Sequence, residues 1–396
     1  MKNNIKKLAE ISNREERLII GLMSGTSLDG LDVALCRFSG AGRQTQVQLL
    51  AFESVRYDDD FKSGIRRVFA RETVDFQWLT LLNVVVAERH AAIVNDCLKK
   101  WNTDAGSVDL IASHGQTVFH APRRLHGMPD CPNATFQIGD GDHIARRTGI
   151  VTISDFRQKH VAAGGEGAPL ALYGDYFLFS RPGEDRFLLN MGGISNFTCL
   201  PGSGDTDKVF ATDTGPGNTL IDACMRRYFG QPFDSDGRTA GKGNINESLL
   251  AALRSDPFFN QPFPKSTGPE LFSMEWVDKY LNKMAGTIAP EDMVATLTRL
   301  TADTIADGLL AVSGGQNASL YVSGGGAHNQ VIMAHLRARL QGWTIDTVDS
   351  LGVSGDAKEA VLFALLANET IAGETEGGAT LGGVPLVSMG KISLPD

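Results

Sequence analysis

Two segments of this chain share one local design, and that repetition limits the fold more than any other feature of its 396 residues. In the first, the apolar runs Leu18-Ile19-Ile20 and Leu31 to Cys36 flank Met23-Ser24-Gly25-Thr26-Ser27-Leu28-Asp29-Gly30. In the second, Phe187 to Asn190 and Asn196 to Leu200 flank Met191-Gly192-Gly193-Ile194-Ser195. Each reads as a strand, a glycine turn and a returning strand. They stand about 170 positions apart, too far for a solenoid repeat but suited to a duplicated domain. Other pieces pair up as well. Val108 to Ser113 runs into His114-Gly115-Gln116-Thr117, and Leu320 to Ser323 runs into Gly324-Gly325-Gly326; both are buried-strand patterns ending in a polar or glycine-rich loop. Each follows a helical pattern, Leu79 to Trp101 and Met293 to Val312. The expected fold class is therefore α/β, with two similar halves facing a cleft.

The first hairpin is also a chemical motif. Backbone N–H groups freed by Gly25 and Gly30, with the hydroxyls of Ser24, Thr26 and Ser27, can surround phosphate oxygens. Asp29 could hold a magnesium ion directly or through water. A Walker loop would lead into a helix with Gly-Lys-Ser/Thr, whereas this turn returns into a strand. By itself such a hairpin is also an ordinary turn.

Composition narrows the partners. The net charge of -9 and the lack of a long basic run argue against nucleic acid or an anionic membrane surface. The first residues, MKNNIKKLAEISNREER, lack the apolar core of a signal peptide, and no window offers the roughly 20 apolar residues of a membrane span. Cys36, Cys97, Cys131, Cys199 and Cys224 are odd in number and widely spaced, with no CxxC pair. They read as reduced residues of a cytoplasmic protein.

Asp213 is the strongest candidate for a catalytic base. A short strand, Val209 to Thr212, delivers it into Thr214-Gly215-Pro216-Gly217-Asn218, and a helix starts near Thr219. Gly215 and Gly217 would let a phosphate approach the backbone at a helix N-terminus, and a carboxylate at that mouth can deprotonate a nucleophile. An aspartic-protease loop would need a second copy in β-rich halves, and the chain has one among helices. Asp155 and Arg157 end the strand Ile150 to Ser154, where Arg157 could clamp a carboxylate or sugar hydroxyls. The pair reads equally as a structural ion pair. His114 can contact ligand or serve structure, and Glu359, opening the helix Ala357 to Ile371, is also an ordinary dipole partner. Gly324, Gly325 and Gly326 leave a flat surface on which an adenine ring can lie. Asp256 to Lys283, rich in Phe and Pro, fits neither half and is expected to decorate the second domain. The closing helix is expected to cross back, so that domain one is discontinuous: residues 1–150 with 358–396, around a second domain of 151–357.

These residues together resemble the anhydro-N-acetylmuramic acid kinases and their relative levoglucosan kinase, within the actin/hexokinase/Hsp70 ATPase superfamily. The matching motifs, in the family's order, are GLMSGTSLDGLD from Gly21, ASHGQT from Ala112, DFR from Asp155 and GGEGAPL from Gly164. NMGGISN from Asn190, DTGPGN from Asp213, PKSTG from Pro264, SGGGAHN from Ser323 and KEAVLFA from Lys358 complete the set. They cover nearly the whole chain after about residue 17.

The resemblance implies two duplicated ribonuclease H-like domains around an ATP and sugar cleft. It implies ATP and Mg²⁺, an anhydro-sugar substrate and a role in peptidoglycan recycling; a homodimer is left open. The implied reaction couples hydrolysis to phosphorylation: water opens the 1,6-anhydro bridge at C1 while O6 takes the γ-phosphate of ATP. Asp213 matches the family's base. Ser24, Gly25, Thr26, Ser27, Leu28, Asp29 and Gly30 match its ATP phosphate loop, and Gly192, Gly193, Gly215, Gly217, Asn218, Gly324, Gly325 and Gly326 fall on the other nucleotide loops. His114, Gln116, Asp155, Arg157 and Glu359 fall on substrate motifs, and Asp29 and Glu359 are the implied magnesium carboxylates.

Three positions depart from the family pattern: Glu166 for a usual Gln, His160 for Asp, and Pro269 for Arg. An added carboxylate and a lost Arg would suit an anionic lactyl sugar less well if they face it, which keeps the neutral sugar levoglucosan as an alternative substrate. A chaperone-like or filament-forming ATPase is the alternative of another class, and the chain lacks the long C-terminal region that a peptide-binding chaperone needs. A catalytically dead sugar-binding paralogue is a third, against which the presence of Asp29, Asp213 and Glu359 counts.

Overall fold

The apolar runs that flank each glycine turn are buried on both faces, as strands inside a covered sheet must be. A computed structural model describes residues 2–268, 270–284, 286–353, 355–374 and 380–395, and within them the chain is mixed α/β. Contacts divide it into two compact units, residues 1–178 with 352–396, and residues 179–351.

The first unit holds β1 (Glu16–Ser24), β2 (Gly30–Ser39), β3 (Gln46–Arg56), β4 (Leu110–Ala121), β5 (Ala134–Ile138), β6 (Val151–Ser154) and a closing strand, Lys391–Ser393. The order across the sheet is closing strand, β6, β4, β1, β2, β3, with β5 on the far part of β4. β1, β2 and β3 are antiparallel neighbours, while β4 and β6 run parallel to β1. Five residues, Gly25 to Asp29, separate β1 from β2. The helix Phe76–Lys100 begins three residues before the expected Leu79 because Asp75 caps it, accepting from the Trp78 N–H at 3.0 Å. The closing helix Lys358–Ala372 lies on this sheet, and Gly21 of β1 marks the crossing. A Cβ at Gly21 would stand 1.9 Å from the Ala360 carbonyl oxygen, so only glycine permits the approach.

The second unit holds β7 (Arg186–Met191), β8 (Ile194–Leu200), β9 (Phe210–Pro216), β10 (Ser319–Ser323) and β11 (Thr344–Thr347), in the order β11, β10, β7, β8, β9. β7, β8 and β9 are antiparallel neighbours, and β10 and β11 run parallel to β7. Taken from its own glycine hairpin outward, each sheet thus shows the same five neighbours and polarities, to which the first adds the antiparallel closing strand and β5. The long helix Pro290–Ser313 carries Pro at its first position, where no N–H is needed, and stops at Gly314 with φ 62°.

Three expectations change. Val151–Ser154, assigned to the second domain, pairs parallel with β4, and all four residues are buried there; the boundary between units falls after Leu178. His114 to Thr117 is not a loop beyond a strand end: β4 continues through it, with Gly115 at φ 74° absorbing the bend, and pairs onward with β5. Asp256 to Lys283 lies in the second unit, as expected, but as more than an addition to it: Phe258, Phe272, Trp276 and Val277 are buried in one core with Leu300 and Ile305. Among the described residues no helix is long and apolar enough to cross a membrane.

Candidate functional site

In the first unit the glycine hairpin is supported from beneath by a buried polar chain. Ser24 Oγ donates to Gln116 Oε1 at 2.6 Å, and the Tyr57 hydroxyl donates to Ser24 Oγ at 2.8 Å. Tyr57 has then spent its only proton, so His90 Nε2, 2.9 Å away, must be the donor to it. Burial drives the pKa of His90 down to about 3, which keeps the ring neutral with Nδ1 unprotonated. At the other end Gln116 Nε2 donates to the carbonyl oxygens of Gly25 and Thr117, at 3.4 and 3.3 Å.

Two expected ligand contacts are corrected by this chain. Ser24 does not offer its hydroxyl to phosphate, and Gln116 does not face substrate; both are buried, and both brace the turn. Leu28 is also an anchor. It sits at φ 62° with its side chain in the first core, while its N–H closes the turn onto Gly25 O at 3.3 Å. Gly30 is required by packing, since a Cβ there would lie 2.3 Å from Val55 O. Outward-facing candidates remain: Thr26, Ser27 and Asp29 are exposed. A Cβ at Gly25 would meet nothing closer than Ser27 Oγ at 3.6 Å, so a ligand could approach that backbone.

Arg157 joins the remaining first-unit candidates. Its Nε donates to His114 Nε2 at 3.1 Å and its Nη1 to Gly167 O at 2.6 Å; no hydrogen bond among the described residues engages Nη2. Burial lowers its pKa to about 10, and Glu359 opposes that shift. His114 is buried against Phe363, ring centroids 4.7 Å apart, and burial followed by Arg157 holds its pKa near 3. It therefore positions Arg157 instead of touching sugar. The alternative of a structural Asp155–Arg157 ion pair is not met among the described residues: Asp155 is tied to Lys391 of the closing strand. Glu359 is accessible yet hemmed in by protein, and burial, then Asp32, raises its pKa.

Burial likewise raises the pKa of Asp32, against an opposing Ser54 hydrogen bond, and Asp356 adds to the rise. Asp32 is a site candidate that the sequence reading passed over, although it ends the GLMSGTSLDGLD motif. These carboxylates repel one another, a condition that a cation relieves. No group of three or more metal-ligating side chains occurs among the described residues. Mg²⁺ takes one or two protein carboxylates and keeps waters and phosphate oxygens as its other ligands.

Two of the three departures from the family pattern have clear local partners. His160 is buried, accepts from Gly167 N at 2.8 Å and fills the space under Gly165, where a Cβ would lie 2.2 Å from its ring. Glu166 accepts from Arg124 Nε through both carboxylate oxygens, at 3.2 and 3.1 Å. Pro269 lies outside the described residues.

In the second unit, Asp213 sits on β9 with one oxygen held and the other free of hydrogen bonds among the described residues. Its Oδ2 accepts from Thr267 N at 2.8 Å and from Ser266 Oγ at 3.2 Å. Burial raises its pKa, and these two donors pull it partly back. The donors are delivered by Lys265, whose backbone N–H donates to Thr212 Oγ1 at 2.9 Å. Lys265 O in turn accepts from Asp213 N at 2.9 Å. The Lys265 ammonium is buried between Phe258 and Phe263 and donates to the carbonyls of Phe258 and Phe259. PKSTG is thus the support of Asp213, a role legible only as adjacency once the fold is known.

The helix N-terminus after Asp213 is not open to phosphate as expected. The N–H groups of Gly217 and Thr219 bond Gly193 O, at 2.8 and 3.1 Å, and Asn218 N bonds Gly192 O at 2.8 Å. Gly217 and Gly193 are packing glycines: a Cβ would lie 2.3 Å from Gly192 O and 2.8 Å from Thr219 Oγ1 respectively. Gly215, at φ 144°, backs onto Phe259, and Asn218 Nδ2 holds Met191 O at 3.0 Å. Gly324 and Gly326 press on Met191 in the same way, whereas a Cβ at Gly192 or Gly325 would make only ordinary contacts, 3.6 Å from Ile194 O and 3.8 Å from Asn218 Nδ2 respectively. Gly324 and Gly325 are exposed.

Comparison with known proteins gives the following. A family model described as anhydro-N-acetylmuramic acid kinase matches residues 17–386. A protein of that name from Pseudoalteromonas atlantica is 49% identical over 401 residues, covering 100% of both chains. Another from Caldanaerobacter subterraneus subsp. tengcongensis is 40% identical over 395 residues, covering 98% of this chain and 100% of its own. Among solved structures, component A of (R)-2-hydroxyglutaryl-CoA dehydratase from Acidaminococcus fermentans is similar at 14% identity and TM-score 0.42, over 90% of this chain and 99% of its own.

Proposed function

The chain belongs to the anhydro-N-acetylmuramic acid kinase family, and from that premise we propose how its residues divide the work of a sugar kinase. The reaction is ATP-dependent. Water opens the 1,6-anhydro bridge of 1,6-anhydro-N-acetylmuramic acid, and O6 takes the γ-phosphoryl group, giving the 6-phosphate and ADP. The matching order and polarity of the two sheets supports reading the units as duplicated ribonuclease H-like domains.

One observation carries the mechanism: Asp213 has one oxygen fixed by Thr267 and Ser266 and the other without a described partner. The fixed oxygen sets the carboxylate's orientation, and the second can take a proton from water as its oxygen bonds to C1. The C1–O6 bond breaks, and its electron pair leaves with O6. Capture of O6 by phosphorus disposes of that charge, so no separate acid is needed. The exposed turn of Gly25, Thr26 and Ser27 receives phosphate oxygens, and Gly324–Gly325 offers the flat surface for the adenine. Asp29 and Glu359, with Asp32 beside it, would hold Mg²⁺, which draws charge from the phosphates when bound. Arg157 Nη2 is the donor left for sugar oxygens. Glu166 is charge-matched by Arg124, so its presence does not favour a neutral sugar such as levoglucosan.

Running the reaction in ¹⁸O-water tests the assignment. Coupled hydrolysis puts the label on C1 of the product and none in the transferred phosphate. Label in phosphate, or a product whose bridge is intact, would overturn it.

A further inference from the structure

Arg124 stands outside every motif assigned above, yet its surroundings are built. It lies on a short helix, Arg123–His126, held at both ends of its loop by one residue. Asn133 Oδ1 accepts from Arg123 N at 2.8 Å, and Asn133 Nδ2 donates to Gly165 O at 3.1 Å. The helix is therefore docked on the loop that carries Glu166 and hands Gly167 O to Arg157. Glu166 takes only the Nε edge of the Arg124 guanidinium. No hydrogen bond among the described residues engages Nη1 or Nη2, and those two nitrogens form the edge that binds a carboxylate through two parallel bonds. Arg124 is 64% exposed in its side chain, against 35% for Glu166. The free edge is thus the accessible one.

Arg157 belongs to the same neighbourhood. His120, half-buried on β4, feels Arg157, Glu166 and Arg124 together: the two arginines lower its pKa after burial does, and Glu166 opposes them. Two guanidiniums thus face one region of the first unit, in a chain of net charge -9.

We propose that Arg124, oriented by Glu166, is the specificity residue that binds the lactyl carboxylate of the anhydro-sugar through its Nη1–Nη2 edge. This rests on the substrate reading above and extends it. A neutral anhydro-sugar has nothing to place there. Glu166 thereby acts as the positioning partner that stops the long Arg side chain from swinging away.

The test is the ratio of kcat/KM for 1,6-anhydro-N-acetylmuramic acid to that for 1,6-anhydro-N-acetylglucosamine, which keeps the ring and the N-acetyl group but lacks the lactyl ether. Dissociation constants for both sugars are measured by calorimetry alongside. Arg124→Gln is expected to lower the ratio about 10- to 100-fold, mostly through KM, as loss of a charge-assisted bidentate pair should. Arg124→Lys, which keeps the charge and loses the fork, should recover part of it. An unaltered ratio in Arg124→Gln, with the wild type active on the anionic sugar, overturns this inference and leaves the substrate reading standing. A wild type that binds and turns over only the neutral sugar overturns both.

Discussion

The backbone N–H of Thr267 holds one oxygen of Asp213 at 2.8 Å, 54 residues away in the chain, and Ser266 adds a hydroxyl to the same oxygen. A carboxylate gripped on one side presents its other lone pairs in a set direction. Asp213→Asn retains the shape and removes the base; turnover is expected to fall by about 10²–10⁴-fold, with ATP affinity nearly kept. Single-turnover kinetics with calorimetric ATP binding reads both quantities, and near-wild-type turnover would remove Asp213 from the mechanism.

Ser266→Ala tests the electrostatics of that grip. Burial raises the Asp213 pKa, and the Ser266 hydroxyl opposes the rise by bonding the charged form. The base works deprotonated, so kcat/KM is lost as pH falls through its pKa. Deleting Ser266 should therefore move the acid limb of the profile to higher pH. A limb that moves to lower pH would mean that Ser266 stabilises the neutral acid.

Tyr57→Phe cuts the chain His90–Tyr57–Ser24–Gln116 at its middle. A buried Nε2–H of His90 loses its acceptor and Ser24 loses its donor, which should cost about 1–3 kcal/mol of stability by urea unfolding. The turn above is then less well braced, and KM for ATP should rise more than KM for sugar. Equal changes in both would assign the chain to the fold alone.

Much of this was legible in the residues. The two hairpins and the long helices follow from apolar periodicity and glycine placement, which act locally; the strand before Asp213 was legible too, but β9 runs on through it to Pro216, where the residues suggested a turn. What could not be read were choices made by distant neighbours. Ser24 looks like a phosphate hydroxyl until Gln116 and Tyr57 are beneath it. Gly217 looks like a backbone cleared for ligand until Gly192 O is 2.3 Å from its absent Cβ. Val151 to Ser154 gave no sign of which sheet would claim it, because a four-residue strand carries no address. Lys265 to Thr267 became intelligible only when β9 was found alongside.

Acid stability should report the two buried histidines. His90 and His114 both have pKa values near 3 in the folded protein, lowered chiefly by burial, against 6.5 for the unfolded chain. Between those values the unfolded state binds more protons, so stability falls as pH drops from about 6.5 toward 3. Each histidine adds up to about 1.4 kcal/mol per pH unit. Urea midpoints from pH 7 to 4.5 should show the decline, and His90→Gln should make it shallower. A stability that is flat across that window would place both rings in protonated form.

The glycines of the first hairpin separate ligand space from packing space, and two substitutions distinguish them. At Gly30 an added Cβ meets Val55 O at 2.3 Å, where backbone must shift, so Gly30→Ala should lower thermal stability whatever the nucleotide does. At Gly25 the nearest atom is Ser27 Oγ at 3.6 Å, an ordinary contact, so Gly25→Ala should melt within a few degrees of wild type. Yet the methyl at Gly25 enters the space from which a phosphate would approach the turn. KM for ATP should therefore rise about ten-fold or more in that variant, an effect of steric exclusion without unfolding. Gly325→Ala and Gly326→Ala form the matching pair in the second unit, with only an ordinary contact to Asn218 Nδ2 at 3.8 Å at the first and Met191 Cβ at 2.7 Å at the second. If Gly25→Ala binds ATP as tightly as wild type, phosphate does not lie on this turn, and the nucleotide assignment of the hairpin fails even though the fold is intact.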